Sequence, residues 1–310
     1  MARGMKRHAD PVDGLLLLNK PSGMTSNRAL QVVRRMLNAQ KAGHTGSLDP
    51  AATGMLPLCF GEATKVCAYL LDADKSYRVT AKLGSRTDTG DADGRETETA
   101  SVPELSIEDW TEVLQGFCGD STQIPPMYSA LKKDGKRLYE LARKGETVAR
   151  EPRPIRIHAI ELLELAGTRL VFRVSCSKGT YIRVLVEDMA RKAGTVAHTA
   201  RLHRETVGDF EGAAMLEMAA LEALAEQGLE PLRAELLPAG VALARMPAVT
   251  ISEDDALRFC GGQAVEASAE GQAGIARVYA ANERFLGVGE LAAEGMLAPR
   301  RVFQTQEKTP

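Results

Sequence analysis

Three glycines, a proline, a histidine and an aspartate fall within the twelve residues Gly43-His44-Thr45-Gly46-Ser47-Leu48-Asp49-Pro50-Ala51-Ala52-Thr53-Gly54, and no other stretch of the chain limits its fold as strongly. Gly43, Gly46 and Gly54 admit backbone angles that residues with a side chain avoid, and Pro50 drives Asp49 out of the helical region. The expected result is a shaped loop between two apolar elements, holding the Asp49 carboxylate in one direction. The plain alternative is an Asx-type turn joining a helix to a strand, with Asp49 bonding its own backbone.

A chain of 310 residues is long for one core, so a large domain followed by a small one is expected. Five scattered cysteines without a CxxC pair, and five histidines without metal-ligand spacing, point to a reducing compartment and away from disulfides and zinc. The four leucines Leu15 to Leu18 are too few for a secretory signal core, and no apolar run approaches a membrane span. A cytoplasmic protein with no membrane contact is expected. The net charge of −2 hides a polarised distribution. Residues 1–44 carry eight Lys/Arg against two acids, residues 131–156 nine against four, and residues 205–245 two against eight. Separate basic stretches let a near-neutral protein bind a polyanion, and the acidic stretch is expected to face away from it.

The spacing predicts a short buried strand over 15–19 and a helix after the Thr25-Ser26 cap, with Ala29, Leu30 and Val33 inward. Strands are predicted over 55–60, 76–83, 155–165, 169–177 and 196–207, and helices over 62–71, 106–118, 181–192 and 213–226. Thr87 to Gly94 imitates a calcium loop, but with Gly94 as the turn glycine the end positions would be Thr89 and Ala100, so it is read as a turn without metal. Residues 124–153 are proline-bounded and basic, with interleaved tyrosines, and read as a mobile arm. A helix after Ser252 and strands near 275–280, 284–290 and 296–303 make a small, mostly β module. Without long βαβ alternation, the fold class is α+β, with a mixed, largely antiparallel central sheet flanked by helices. The domains are placed at 1–246 and 247–310.

No nucleophile elbow, P-loop or dinucleotide fingerprint is present, and no second carboxylate accompanies Asp49 in sequence as a glycosidase pair would require. A lone carboxylate works as nucleophile or base if a cation orients it and keeps it charged. Arg183 is the candidate, because its planar fork matches a carboxylate.

The segments LNKPSGMTSN (18–27), AGHTGSLDPAATGMLPLCFGEATK (42–65), DKSYRVTAKLGSRTDTGDADG (74–94), IPPMYSALKKDGKRLYELARKG (124–145) and CSKGTYIRVLVEDMA (176–190) closely resemble the TruB family, the bacterial tRNA pseudouridine-55 synthases. The match is co-linear over nearly the whole chain, and the closing GMLAPRRVF (295–303) resembles the family's small PUA domain. The resemblance implies the pseudouridine synthase fold and isomerisation of a T-loop uridine of tRNA to pseudouridine, with no cofactor and no metal. It implies that Asp49 is the catalytic aspartate, that Tyr77 stacks on the flipped uracil beside the reacting carbon, and that Arg183 pairs with Asp49. Tyr181 and Leu202 would line the pocket, His44 would help displace the base, and Lys20 and Pro21 would support the pocket. Flipping a base costs a few kcal/mol, and aromatic stacking returns roughly 1–3 kcal/mol per base. The arm would close on the RNA, with Lys132, Lys133, Lys136 and Arg137 at phosphates. The family often carries Leu-Arg-Arg where this chain has Leu202-His203-Arg204, so one RNA contact is expected to differ. A monomer is expected. The alternatives are a guide-RNA-dependent synthase, which the basic arm disfavours, and an RNA-binding or tRNA-folding protein.

Overall fold

The computed structural model describes residues 9–267 and 273–304. Nine strands form one sheet in the order Leu216–Glu217, Gly14–Lys20, Thr53–Phe60, Ala197–Val207, Lys75–Leu83, Arg169–Cys176, Arg153–Ala166 and Gly119–Gln123, with Ala42–His44 paired onto Thr53–Phe60. Two pairings are parallel, those of Leu216–Glu217 with Gly14–Lys20 and of Ala197–Val207 with Thr53–Phe60; the others are antiparallel. The expected mixed, largely antiparallel sheet is present.

Strands Gly14–Lys20 and Thr53–Phe60 are apolar at nearly every position because both of their faces are covered. Leu16, Leu18, Leu56 and Leu58 meet the helix Ser26–Met36 through Ala29, Leu30 and Val33. Leu15, Leu17, Met55 and Cys59 meet Ala63, Val66 and Leu70 on the other side. Lys75–Leu83 alternates as expected: Tyr77, Val79, Ala81 and Leu83 face the helices Ile107–Gln115 and Ile182–Lys192, and Arg78 and Lys82 face solvent. The Thr25 hydroxyl caps the first helix by accepting from the Arg28 amide, and Ser106 forms a capping box with Asp109.

Several local expectations change. Residues 62–71 form a 3-10 segment, Gly61–Val66, running into a short helix, Cys67–Asp72, rather than one helix. The Thr64 hydroxyl, donating to the Gly61 carbonyl at 2.7 Å, holds the tighter turn. The acidic helix begins later than expected, at Met218–Gln227, because Leu216–Glu217 is taken up as a sheet edge. The arm contains a hairpin, Lys132–Lys133 with Lys136–Arg137, turned by Asp134 and Gly135 at φ 50° and 79°. A short helix, Leu138–Ala142, buries Leu138 and Leu141 beneath it.

From Ala248 onward the chain builds a separate five-stranded sheet, in the order Ala248–Ile251, Gly274–Ala280, Phe285–Leu291, Met296–Val302 and Val265–Glu266. The first and last of these were not expected, being only four and two residues long. Phe303 and Val288 are buried with Leu15 and Val66 of the main body. Lys65 donates to the Val302 carbonyl at 2.7 Å, and the Gln304 amide donates to Glu62 at 2.8 Å. Among the described residues no helix is long and apolar enough to cross a membrane.

Candidate active site

The 43–54 loop is pinned from both sides. Ser26 Oγ accepts from the Leu48 amide at 2.8 Å and contacts its carbonyl at 3.1 Å, while the Gly23 amide donates to the Pro50 carbonyl at 2.9 Å. Lys20 is fully buried below it and donates to the carbonyls of Pro21, Met24 and Pro50 at 2.8, 2.8 and 3.2 Å. Burial pushes the Lys20 ammonium down to about 8, although the Asp49 charge opposes this. Arg204, on the neighbouring strand, donates to the Gly46 carbonyl at 2.9 Å and the Met55 carbonyl at 2.6 Å. Gly54, at φ 102°, lies so close to the backbone of Arg204 that an added Cβ would stand 2.3 Å from its carbonyl oxygen. The glycine there is a requirement of close approach.

This scaffold leaves the Asp49 side chain 41% exposed at a cleft of about 680 Å³, whose walls include Asp91, Arg183, Leu202, His203, Arg78 and Arg201. Strands Thr53–Phe60 and Ala197–Val207 are paired only at Thr53–His203 and Gly54–Arg204, and the cleft opens where they part. Arg183, at the start of the helix Ile182–Lys192, grips both carboxylate oxygens, Nε to Oδ2 at 2.9 Å and Nη2 to Oδ1 at 3.3 Å. Its other hydrogen bonds go to the Thr89 and Tyr128 carbonyls, both at 2.7 Å, and its Nη1 lies 3.7 Å from Asp91. With 7% of the side chain exposed, the guanidinium is held between Asp49 and the Thr89 and Tyr128 carbonyls. Surrounding protein raises the Asp49 carboxyl above the usual carboxylate range, Arg183 opposes the rise, and Asp91 adds to it. Water still reaches the carboxylate through the open cleft, where 41% of its side chain is exposed.

The two tyrosines flank this pair. Tyr77 is 9% exposed and packs in the cluster that contains Leu48 and Ala52, the apolar neighbours of Asp49, with Leu202 against it. Tyr181 caps the helix that carries Arg183. Gln123 clamps that corner, accepting from the Tyr181 amide at 2.9 Å and donating to its carbonyl at 3.3 Å. Burial raises both phenols, and the Asp49 charge raises each further, so both hydroxyls lie within its electrostatic reach. His44 sits on the strand Ala42–His44 with Nδ1 buried and unpartnered; burial and the Arg204 charge push its imidazole towards the neutral form. Pro21 follows Lys20 at the strand's end. Lys132, Lys133, Lys136 and Arg137 are all exposed on the arm hairpin, away from the Asp49 loop in sequence but joined to it through the grip of Arg183 on Tyr128.

Sequence reasoning missed Asp91, Gln123 and Arg204. The 87–94 turn was legible as a turn; its function in presenting the Thr89 carbonyl and Asp91 to Arg183 was not, since 92 residues separate Asp91 from Arg183. His203, expected to alter an RNA contact, bonds Thr53 Oγ1 at 2.8 Å through Nδ1. Among the described residues no group of three or more His, Cys, Asp or Glu side chains is placed to hold a metal ion.

Three family models match in succession: TruB family pseudouridylate synthase (N terminal domain) over residues 34–182, tRNA pseudouridylate synthase B C-terminal domain over 183–244, and Pseudouridine synthase II TruB, C-terminal over 247–303. The chain is 53% identical to tRNA pseudouridine synthase B of Dechloromonas aromatica (strain RCB) over 300 residues, covering 96% of this chain and 98% of that protein. It is 50% identical to the protein of the same name from Pseudomonas putida (strain GB-1) over 303 residues, covering 97% and 99%. Its fold is similar to a chain of an H/ACA RNP bound to a substrate RNA containing 2′-deoxyuridine, with a TM-score of 0.73 and 21% identity over 98% of this chain and 89% of that one. A chain of a Cbf5-Nop10-Gar1 complex gives a TM-score of 0.72 at 25% identity, over 97% and 88%. Fold and relatives together define an RNA-modifying isomerase, a pseudouridine synthase. Within that class, the chain belongs to the TruB family.

Proposed function

We propose that this enzyme isomerises uridine 55 in the T loop of tRNA to pseudouridine. The observation that carries the reading is the Asp49–Arg183 fork, a single oriented carboxylate at the mouth of a cleft large enough for a nucleoside. The N1–C1′ bond of the uridine breaks, the uracil turns in place, C5 bonds to C1′, and the C5 proton is lost while N1 gains one, so that the product is an isomer of the substrate. Asp49 acts as its anion, at C1′ or on the base, and Arg183 holds it in line with the reacting atoms. The target uridine is flipped out of the loop to reach it. Tyr77 stacks on the uracil, Leu202 and Tyr181 close the pocket around it, and His44, as a neutral imidazole, takes the space the base vacates. Lys20 and Pro21 hold the Asp49 loop from below.

The basic arm, with Lys132, Lys133, Lys136 and Arg137, grips the phosphates of the T arm. Residues 1–246 form the catalytic domain and 247–310 a PUA-like RNA-binding domain. The protein works as a cytoplasmic monomer without cofactor or metal. The test is pseudouridine formation at the T-loop uridine of an unmodified tRNA transcript, wild type against Asp49→Asn. Product from the wild type alone is expected. No product from either protein, with tRNA binding retained, would favour a guide-dependent or tRNA-folding role, and equal product from both would remove Asp49 from the chemistry.

A further inference from the structure

Successive side chains of a strand point to opposite faces of its sheet. Tyr77 and Leu202 share the face covered by helices, in the cluster that also holds Leu48 and Ala52. Arg78 follows Tyr77, and Arg201 and His203 flank Leu202, so these three lie on the other face. The register sets His203 across from Arg78 and Arg201 across from Thr80. The cleft opens where Thr53–Phe60 and Ala197–Val207 part, and Arg78, Arg201 and Leu202 all line it together with Asp49.

The second face concentrates positive charge. Arg78 stands directly between Arg173 on one neighbouring strand and His203 on the other, and like charges directly opposite one another are destabilising. The flanking arginines are neutralised: Arg173 pairs with Glu161 at 2.9 Å and with Glu205 at 2.8 Å, and Arg169 pairs with Glu164. Arg78 and Arg201 are exposed and have no hydrogen bond or ion pair with any described residue. They stand one diagonal step apart across the strand pair, a separation of about 7–8 Å that long side chains bridge. Two free guanidiniums at that spacing suit one phosphodiester, whose oxygens match the planar fork of each.

We propose that Arg78 and Arg201 form a phosphate site that holds one of the two phosphodiesters flanking the target uridine. This rests on the reading of the Asp49 cleft as the uridine site. The alternation of the two strands divides the nucleotide between the faces of the sheet, the base going to Tyr77 and Leu202 and the backbone to Arg78 and Arg201. The arm grips the T arm at a distance, whereas this pair fixes the nucleotide that reacts.

Three synthetic T-arm stem-loops test the site by affinity. One is unmodified at its linkages, and the others carry an uncharged methylphosphonate immediately before or after the target uridine; all three share the same 2′-O-methyl sugars there. Both side chains are exposed, so Arg78→Gln and Arg201→Gln should fold as the wild type does. Each is expected to weaken binding of the unmodified stem-loop about tenfold, as for loss of one charged hydrogen bond. The slope of log K against log salt should fall by about 0.7. A methylphosphonate at one of the two linkages should weaken wild-type binding by a similar factor and add little in either variant, because both changes remove the same contact. Lys82→Gln, on the same face but away from the cleft, should change none of these.

Unchanged affinity in both variants, or methylphosphonate losses that add in full to theirs at both linkages, overturns the proposal. The uridine reading then still stands if the wild type converts an unmodified tRNA transcript. A wild type that binds that transcript and forms no pseudouridine overturns the reading of the cleft, and this inference with it.

Discussion

At the residue scale the molecule is arranged around one carboxylate whose charge is contested. Protein around Asp49 and the nearby Asp91 favour its proton, while Arg183 and Lys20 favour the anion, and the balance lies above the ordinary carboxylate range. With Asp49 reacting as its anion, as proposed, activity should fall as pH drops through this raised value, at a higher pH than an ordinary aspartate would give. Asp91→Asn removes one negative charge that raises it, and a pH–rate profile at saturating tRNA should show the acid limb moved to lower pH. An acid limb that stays in place would mean that Asp91 matters only as a hold on Arg183. Gly54 offers a stability test at the same scale. With φ at 102° and the Arg204 backbone in the way of any Cβ, Gly54→Ala should cost at least about 1–3 kcal/mol, read as a lowered denaturant midpoint.

At the scale of elements, the sheet separates two oppositely charged regions. The acidic helix Met218–Gln227 follows the strand at one edge, Leu216–Glu217, and the basic arm follows the strand at the other, Gly119–Gln123. Such polarity lets a chain with net charge of −2 present a cationic face to RNA. Replacing Lys132, Lys133, Lys136 and Arg137 together by glutamine should weaken tRNA binding and flatten its dependence on salt. If each side chain meets a phosphate, the slope of log K against log salt should fall by about 0.7–0.9 for every phosphate no longer neutralised. The maximal rate at saturating tRNA should change little. An unchanged slope would mean that other side chains neutralise the phosphates.

At the scale of the whole molecule, the C-terminal sheet is tied to the main body by one apolar seam. Phe303 packs against Phe285 with ring centroids 4.9 Å apart, and Lys65 lies over its ring at 5.5 Å. It is buried in the same cluster as Leu15 and Val66. Phe303→Ala should open a cavity there and cost about 3–5 kcal/mol. In a thermal scan this should appear as a lowered or split transition, since loosening the seam uncouples the two sheets. A single transition at the wild-type temperature would show that the seam contributes little.

Most of the elements were readable from the chain because the signals are local. The alternation of Ser76 to Leu83, the unbroken leucines of Leu15 to Leu18 and the caps at Thr25, Ser106 and Ser252 each depend on neighbours a few residues away. The Asp49 loop was readable for the same reason, as glycine and proline restrict the backbone wherever they stand. What the 3-10 turn at Gly61–Val66 shows is how one hydroxyl to carbonyl bond settles a matter that periodicity leaves open. The sequence by itself therefore determined most of the longer strands and helices, the family and the shaped loop that carries Asp49. Only the tertiary structure decided what surrounds that carboxylate. Asp91, the Thr89 and Tyr128 carbonyls and Arg204 converge from separate segments of the chain, and no local pattern records which side chains meet when a sheet closes. Their meeting is set by strand order and register, which are properties of the packed core as a whole.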